Sequence, residues 1–490
     1  MAGNEWKDAM PQEPADLRSL SEKTRFKRAV TLVLMTLVLP GSAQIVAGSK
    51  RAGRYAWRTV AGLLALLLAL VVLGLVWRAR TLNVLAQPRT LLVIQILLIV
   101  LAIGWATLFV DAYRLAQPLT LDRRHRLATS ALDGVLVLTV VGALLWGSFI
   151  VSAQRDFVSS VFGNTTKSKA DKGRFNVLLM GGDSGKGRVG VRPDSMTLAS
   201  IDADTGRTVL IGLPRNMAYV PFPEGSVMHT KFPRGFHWEG CEANCFLNGL
   251  YTYATGHKEL FPGVKDPGAM VTRQAVEQIT GLKVNYHVMI DIAGFMHLID
   301  AVGGITLDVG KKVPIGGIGG PIKGYIQPGK HQHLDGYHAT WFARSRAGST
   351  DYERMLRQKC VMTAMLGQLE PRKVLTKFQG IASASKQVVN TDIPAGDLGT
   401  FVDLALKSKK LKVSSFSPIP PLINTGNPDF PLIRQKVAET IAKSEATDDS
   451  DAKPTKPAST PTKKPSSKPT GTPSKPGNNV DDVASVCKVV

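Results

Sequence analysis

The chain has 490 residues, a formal net charge of +22 and 44% hydrophobic residues, so it is too long for one typical domain and carries its excess basic charge on surfaces. Its four cysteines, Cys241, Cys245, Cys360 and Cys487, are too few for a disulfide scaffold and show no CxxC or Cys/His spacing typical of zinc. Composition therefore argues against a disulfide scaffold and a structural zinc site, while the charge alone suits nucleic acid, anionic lipid or an acidic polymer equally well.

The N-terminal third of the chain has the pattern of a membrane region. Residues 1–28 are polar and end in the basic cluster SEKTRFKR. Three long apolar runs follow, at about 59–77, 91–110 and 132–152, and each is long enough to cross a bilayer as a helix. The earlier apolar segment 29–47 is interrupted by Pro40 and Gly41, so we predict a re-entrant hairpin there and a membrane region over residues 29–153.

The distribution of basic residues predicts the orientation of this region. Basic clusters lie before the broken segment, after it at 50–58, and ahead of the last run at 123–126. The positive-inside rule places all three in the cytoplasm, together with residues 1–28. Three true spans then put everything after residue 153 outside the cell. A first segment that crossed fully would give four spans and return the rest of the chain to the cytoplasm.

Residues 174–440 alternate strand-like and helix-like patterns, which predicts an α/β domain. FNVLLM is typical of a buried strand, and DSMTLASIDADTGRTVLIGLPRN predicts two strands joined by a turn at residues 204–206. PGAMVTRQAVEQITG predicts a helix closed by Gly281, and YHVMIDIAGFMHLIDAVGGITLDV predicts strand, helix and strand. A long helix is expected after Asp351.

The C-terminal residues 441–490 are rich in Pro, Ser, Thr and Lys and poor in apolar residues. Such a segment cannot bury a core, so we predict a disordered tail. A flexible basic tail and a tether for an anionic wall polymer both agree with this composition.

The stretch NVLLMGGDSGKGRVGVRPDS, residues 176–195, contains the first candidate site residues. Its glycines do not have the GxxxxGK spacing of a phosphate-binding P-loop, and no GxSxG elbow marks a serine hydrolase. It offers instead two carboxylates, Asp183 and Asp194, near two arginines, Arg192 and Arg215. Carboxylates suit a hard cation, and guanidinium groups suit phosphate, although strand-end Asp and Arg also form ordinary surface pairs.

Six motifs in order carry a resemblance to a known family. The succession NVLLMGGDS, RPDSMTLASID, LPRN, GFMHLIDAVGGITLDV, PGKHQHLDGYHATWFARSR and DYERMLRQ resembles the LytR-CpsA-Psr family over residues 175–370. The resemblance implies an α/β/α sandwich, preceded here by transmembrane helices and followed by the disordered tail. It also implies an apolar channel for a polyprenyl pyrophosphate, which we expect along the helix around residues 295–302. Members transfer a glycopolymer from undecaprenyl pyrophosphate to peptidoglycan outside the membrane.

The resemblance also implies roles for individual residues. Asp183 and Asp194 correspond to the acidic pair that holds magnesium, while Arg192 and Arg215 correspond to arginines on the pyrophosphate. The later basic motif supplies further pyrophosphate ligands, which are Arg344, Arg346, Arg354 and Gln358. Asp183, Asp194, Arg215 and Arg344 form the expected catalytic set. Pyrophosphate chemistry agrees with these roles, because arginines and a divalent ion stabilise charge that redistributes during transfer.

The chain departs from the family pattern at two positions. Asn216 stands where an Asp usually follows the PR motif, and Gly185 with Lys186 replace an expected arginine. The sequence therefore leaves two functions open. One is a magnesium-assisted phosphotransferase of the cell membrane, with its catalytic domain extracellular. The other is a non-catalytic membrane regulator that binds the lipid carrier or a wall polymer.

The remaining features predict less. The basic residues are interleaved with few aromatic residues, so nucleic acid is not an expected partner. Cys241 and Cys245 are close enough to form a small disulfide loop outside the cell. Cys360 falls within the predicted long helix, where we expect it to be buried and inert.

Overall fold

The computed structural model describes residues 21–48, 50–162, 167–182, 192–317, 320–368, 389–451, 479–480, 483 and 487. The chain divides into two compact units, residues 1–156 and 157–490. Asp183, with Gly185 and Lys186, lies outside the described residues, as does most of the predicted tail.

The first unit is helical. Its helices are α1 Glu22–Val38, α2 Ser42–Ala47, α3 Lys50–Val76, α4 Arg78–Leu85, α5 Pro88–Leu115 and α6 Arg123–Val161. Among the described residues, three helices are long and apolar enough to cross a membrane, and they begin at Lys50, Pro88 and Arg123. These helices overlap the three predicted apolar runs.

The predicted break in the first apolar segment is present between α1 and α2. Gly41 lies there with a φ of 91°, and a Cβ at this position would lie 2.6 Å from the carbonyl oxygen of Gly53. The short hairpin is also tied to α5, because Trp105 Nε1 donates to Thr36 O at 3.2 Å and Gln44 Nε2 donates to Leu108 O at 3.0 Å. A packed helical hairpin therefore replaces a straight first helix.

The second unit is built on a seven-stranded mixed sheet in the order β11-β10-β3-β2-β1-β4-β9. The strands of this sheet are β1 Arg174–Gly182, β2 Pro193–Asp202, β3 Thr208–Leu213, β4 Tyr286–Asp291, β9 Val389–Thr391, β10 Ser414–Phe416 and β11 Asn479–Val480. The predicted strand FNVLLM is the central strand β1, which runs antiparallel to β2 and parallel to β4. The end of β1 therefore lies beside the start of β2, where Gly182 pairs with Pro193.

Helices cover both faces of the sheet. The α-helices of this unit among the described residues are α7 Val227–Lys231, α8 Leu250–Gly256, α9 Pro267–Thr280, α10 Ile292–Val302, α11 Gly336–Arg344, α12 Asp351–Gln368, α13 Leu398–Ser408 and α14 Phe430–Asp451. Leu178 and Met180 of β1 share a core with residues of α8, α9 and α14, whereas Leu179 packs with the core that includes α10, α11 and α12. This arrangement confirms the predicted α/β/α sandwich.

In the part of the unit that the structure describes, four more strands lie outside this sheet. They are β5 Ile305–Val309, β6 Val313–Gly316, β7 Ile322–Ile326 and β8 Gly329–Leu334. They form two antiparallel pairs, β5 with β8 and β6 with β7. The second pair ends near the loop after α11, since a Cβ on Gly317 would lie 2.9 Å from Ala347 Cβ.

The structure differs from the predicted domain boundary at residue 440. Helix α14 continues to Asp451 and buries Ile433 and Val437 completely, and β11 pairs antiparallel with β10. The physical reason is that the Pro- and Lys-rich composition stops before residue 479, after which Val483 and Cys487 are buried in an apolar core.

The prediction for Cys360 is also corrected. Cys360 is buried as expected, but it is not an isolated thiol, because it forms a disulfide with Cys487. Helix spacing alone did not reveal this pair, since its two members are 127 residues apart. The disulfide loop expected between Cys241 and Cys245 is present.

Candidate functional site

A cavity of about 360 Å³ lies between the central sheet and the helices α10, α11 and α12. Its walls are mainly apolar and come from β1, β4, α10 and α12. They include Leu179, Val288, Ile290, Phe295, Leu298, Val361, Met362 and Met365. The expected apolar space beside α10 is therefore present, with Phe295 and Leu298 on its surface.

One part of the cavity lining is polar and strongly basic. Five of the predicted site residues line this single cavity, and they are Asp194, Arg344, Arg346, Arg354 and Gln358. They come from the start of β2, the end of α11, the following loop and α12. The sandwich thus brings together motifs that are far apart in the sequence.

Arg215 is held beside this cavity by two carboxylates. Its NH1 donates to Asp194 Oδ1 at 2.8 Å, and its Nε lies 3.3 Å from Asp351 Oδ1. Burial alone would raise the pKa of the Asp194 carboxyl, but the hydrogen bond and charge of Arg215 outweigh that effect and hold the pKa below its usual value. Asp194 is therefore ionised at neutral pH.

Arg354 is the most deeply buried arginine of the group, with 3% of its surface exposed. Its NH2 lies 2.9 Å from Asp351 Oδ1. Burial lowers the pKa of its guanidinium, while the charge of Asp351 opposes the change. Its buried Nε has no hydrogen-bond partner among the described residues. A buried donor of this kind favours an anion at this end of the cavity.

The loop that carries Arg344 and Arg346 is fixed by a residue that the sequence analysis did not single out. Arg357 donates from Nε to Phe342 O at 2.8 Å and from NH1 to Ser349 Oγ at 3.1 Å, and its NH2 also donates to Ser345 O. Arg357 is 5% exposed, so its guanidinium group is buried and donates its hydrogen bonds to the loop and not to solvent. It acts as a positioning residue for the two arginines.

Two further side chains set the polar end of the cavity. Ser195 Oγ donates to Gln358 Oε1 at 2.9 Å, and Asn248 Nδ2 donates to Asp194 Oδ1 at 3.4 Å. Asn248 belongs to the segment LNGLYTYA, and Asp351 and Arg357 belong to the motif DYERMLRQ. The ordered motifs included the second segment but not the first, and the partner of each side chain is visible only in the folded chain.

Arg192 and Asn216 are not part of the cavity lining, and Arg215 lies beside it. Arg192 is exposed, and its NH2 donates to Asn244 Oδ1 at 2.7 Å. Asn216 follows Arg215 directly, but its Nδ2 donates to Thr425 Oγ1 at 3.3 Å. The second predicted metal ligand, Asp183, lies outside the described residues.

Comparison with known proteins gives a consistent family match. The model of the LytR_cpsA_psr family matches residues 151–428. The polyisoprenyl-teichoic acid–peptidoglycan teichoic acid transferase TagU of Oceanobacillus iheyensis is 28% identical over 234 residues, which are 47% of this chain and 63% of that protein. The cell wall biosynthesis protein LcpA of Corynebacterium glutamicum is 26% identical over 245 residues, which are 46% of each protein.

Among solved structures, the crystal structure of TagV from B. subtilis is similar, with 23% sequence identity and a TM-score of 0.39. That comparison covers 56% of this chain and 98% of the TagV chain. The matched region spans 63% of the length of the Oceanobacillus protein and 46% of LcpA.

Proposed function

This chain belongs to the LytR_cpsA_psr family, and we propose that it transfers a glycopolymer from an undecaprenyl pyrophosphate carrier to peptidoglycan. The observation that carries the proposal is the apolar cavity whose polar end holds Arg344, Arg346 and Arg354. A polyprenyl chain requires an apolar space, and its pyrophosphate requires cationic donors at the end of that space. The name of the Oceanobacillus relative, a polyisoprenyl-teichoic acid–peptidoglycan transferase, supports this class of substrate.

The proposed reaction is a phosphoryl transfer. A hydroxyl oxygen of peptidoglycan attacks the phosphorus that carries the glycopolymer, and the bond from that phosphorus to the bridging oxygen breaks. Undecaprenyl phosphate leaves with the bridging oxygen, and the hydroxyl proton passes to a base or to solvent. The product is a phosphodiester between the glycopolymer and peptidoglycan, so atoms and charge balance without a further reactant.

The arginines supply the electrostatic part of this chemistry. Negative charge moves towards the bridging oxygen as the bond breaks, and fixed guanidinium donors stabilise that charge without reorganising. Asp351 holds Arg215 and Arg354 in place through its contacts at 3.3 and 2.9 Å. Arg357 does the same for the loop of Arg344 and Arg346 through the Phe342 and Ser349 contacts.

Asp194 is poorly suited to be the general base. Its pKa is lowered below the usual value by the hydrogen bond and charge of Arg215, which outweigh the effect of burial. An efficient base needs a pKa near the working pH, so an acidic carboxylate already paired with arginine accepts a proton weakly. We assign Asp194 to charge organisation and cation binding instead.

A magnesium ion fits the residues around Asp194. The carboxylate is ionised, and the neighbouring Asn248 has a buried Oδ1 without a hydrogen-bond partner among the described residues. Oxygen ligands of these two types are the ones that magnesium prefers. Asp194, Asp183 and Asn248 would hold the ion, which would supply charge neutralisation at the pyrophosphate.

The three long helices of the first unit support a membrane location. The positions of the basic clusters at residues 23–28, 50–58 and 123–126 support an extracellular catalytic domain. This location gives access to peptidoglycan, and teichoic, teichuronic, capsular and arabinogalactan-like polymers are all candidates for the transferred chain.

The experiment uses the purified full chain in detergent, an undecaprenyl pyrophosphate-linked oligosaccharide and a peptidoglycan acceptor, with and without magnesium. Release of undecaprenyl phosphate is followed by mass spectrometry. Arg344→Ala should lower turnover by about 30-fold, which corresponds to about 2 kcal/mol for a lost charged hydrogen bond. Arg234→Ala is the matched control, because this arginine is exposed and does not line the cavity.

The outcomes separate the two functions left open by the sequence. Binding of the carrier without any release of undecaprenyl phosphate by the unaltered chain would favour the non-catalytic regulator. The double change Asp183→Ala, Asp194→Ala should abolish magnesium-dependent turnover. Unchanged, magnesium-independent turnover in this variant would refute the metal assignment.

A further inference from the structure

A group of metal-ligating side chains lies outside the cavity. The atoms His237 Nδ1, Cys241 Sγ and Cys245 Sγ lie within 4.8 Å of one another. The imidazole nitrogen is 3.5 Å from Cys241 Sγ and 3.6 Å from Cys245 Sγ. The three residues follow one another at intervals of four, a spacing that differs from the CxxC pattern typical of zinc sites.

The two sulfur–nitrogen distances agree with those of a zinc site, whereas the sulfur–sulfur distance is that of a disulfide. Zinc binds thiolate sulfur at about 2.3 Å and imidazole nitrogen at about 2.0–2.1 Å, so a tetrahedral angle places sulfur and nitrogen about 3.5 Å apart. Both observed sulfur–nitrogen distances are close to this value. The two sulfurs are joined as a disulfide, and they need to separate to about 3.8 Å around a tetrahedral zinc ion.

The surroundings also suit such an ion. Cys241 and Cys245 are 2% and 4% exposed, whereas His237 is exposed and its ring centroid lies 4.8 Å from that of Tyr219, with the two rings tilted by 37°. The two sulfurs are thus shielded from water, and a zinc ion can enter the site from the exposed side, where the imidazole lies. A tetrahedral ion with three protein ligands retains one open position, which water can fill on the exposed side.

We propose that the reduced Cys241–Cys245 loop binds one zinc ion through His237 and both thiolates, and that zinc binding and the disulfide exclude each other. A dithiol reductant transfers two electrons and two protons to the disulfide, which becomes two thiols while the reductant becomes a disulfide. Zinc then binds the two sulfurs and the neutral imidazole, and the two thiol protons are released to solvent.

The loop is connected to the candidate site. Asn244 lies inside it and accepts the hydrogen bond of Arg192 at 2.7 Å. Directly after the loop, the backbone N–H of Asn248 donates to Arg215 O at 3.1 Å, while its side chain donates to Asp194 at 3.4 Å. A change in the separation of the two sulfurs therefore acts on a short segment that contacts Arg192, Asp194 and Arg215.

Zinc binding is tested on the full chain in detergent without reference to catalysis. The oxidised chain and the chain reduced under inert gas are each dialysed against zinc, and bound metal is counted per chain. We expect one zinc in the reduced chain beyond that in the oxidised chain. Cobalt in place of zinc should give the thiolate charge-transfer absorption and the intense visible bands of a tetrahedral site.

Matched variants identify the ligands. His237→Ala should weaken zinc binding at least about tenfold, since loss of a residue that only hydrogen-bonds to a metal ligand already lowers metal affinity about 10–100-fold. His331→Ala is the control, because that histidine is also exposed and lies outside the cluster. The double change Cys360→Ser, Cys487→Ser should retain the zinc, whereas Cys241→Ser, Cys245→Ser should lose it.

Three results would overturn the proposal: equal zinc content in the oxidised and reduced chains, no zinc in the reduced chain, or full zinc binding by His237→Ala. The last variant changes an exposed side chain, so it tests the ligand even if the double cysteine variant does not fold. The link to the candidate site rests on the proposed function and is measured separately. Zinc should raise the KM for the lipid carrier in the reduced chain, and His237→Ala should remove that effect.

Discussion

Asp351 and Arg215 form an ion pair across the candidate site, with Asp351 Oδ1 3.3 Å from Arg215 Nε. The same carboxyl oxygen lies 2.9 Å from NH2 of Arg354. The first residue of α12 thus orients two guanidinium groups that belong to different elements. The three side chains are at most 26% exposed, so water can only partly replace these contacts when one of the partners is removed.

We therefore predict that Asp351→Asn lowers the rate of transfer. Loss of the negative charge releases Arg215 and Arg354 from their positions, and about 1.4 kcal/mol of lost transition-state stabilisation lowers kcat/KM about tenfold. Steady-state release of undecaprenyl phosphate measures the effect. Glu353→Gln is the control, because Glu353 lies in the same helical turn but pairs with Lys311 at 3.2 Å. Equal losses in both variants would contradict the role of Asp351.

Lys359 gives a prediction about pH. It is buried between α12 and the sheet, where its Nζ donates to Ser417 Oγ at 2.7 Å and to Ser415 Oγ at 3.1 Å. Burial lowers the pKa of this amine to about 7, below the value of about 10.4 expected in the unfolded chain. Between these two values the unfolded chain binds more protons, so rising pH stabilises the folded state.

Lys359→Met should remove this pH dependence. Relative to the variant, the unaltered chain should gain up to about 1.4 kcal/mol per pH unit as the pH rises from about 7 to about 10. Thermal unfolding of both chains over this pH range gives the difference between their free energies of unfolding. The contributions of other titrating groups cancel in this difference. Lys330→Met provides the matched control, since Lys330 is exposed. A constant difference between Lys359→Met and the unaltered chain at every pH would disprove the expectation.

Asn216 provides a test of the altered family motif. Its Oδ1 is buried without a hydrogen-bond partner among the described residues, and its Nδ2 donates to Thr425. Asn216→Asp places a carboxylate at this position and removes that donor, so we expect a lower melting temperature and little change in turnover. Thermal unfolding and the transfer assay measure the two effects. A large increase in turnover would instead support a binding protein that has lost activity through this position.

The orientation of the membrane region is tested with reporter fusions. A reporter joined after residue 153 should be active outside the cell, and one joined after residue 118 should be active inside. The reason is the basic clusters that flank the hairpin of α1 and α2. An inside signal after residue 153 would contradict the three-span topology and remove the proposed access to peptidoglycan.

Sequence by itself determined the parts of this protein that depend on local pattern. The continuous apolar run FNVLLM identified β1, Asp351 marked the start of α12, and the long apolar runs identified the helices that are able to cross a membrane. The family resemblance of the ordered motifs pointed to Arg344 and Gln358, which line the cavity. The strand and helix predictions succeed because residue spacing and run length directly determine which face of a strand or helix is buried.

Tertiary structure alone decided which side chains meet. Asp351 contacts Arg215 and Cys360 bonds to Cys487, although no local pattern links these partners. The strand β11 likewise joins the sheet from a segment that composition assigned to the tail. The physical reason is that strand order and helix packing fix the distances between remote residues, whereas periodicity fixes only the direction of each side chain along its own element.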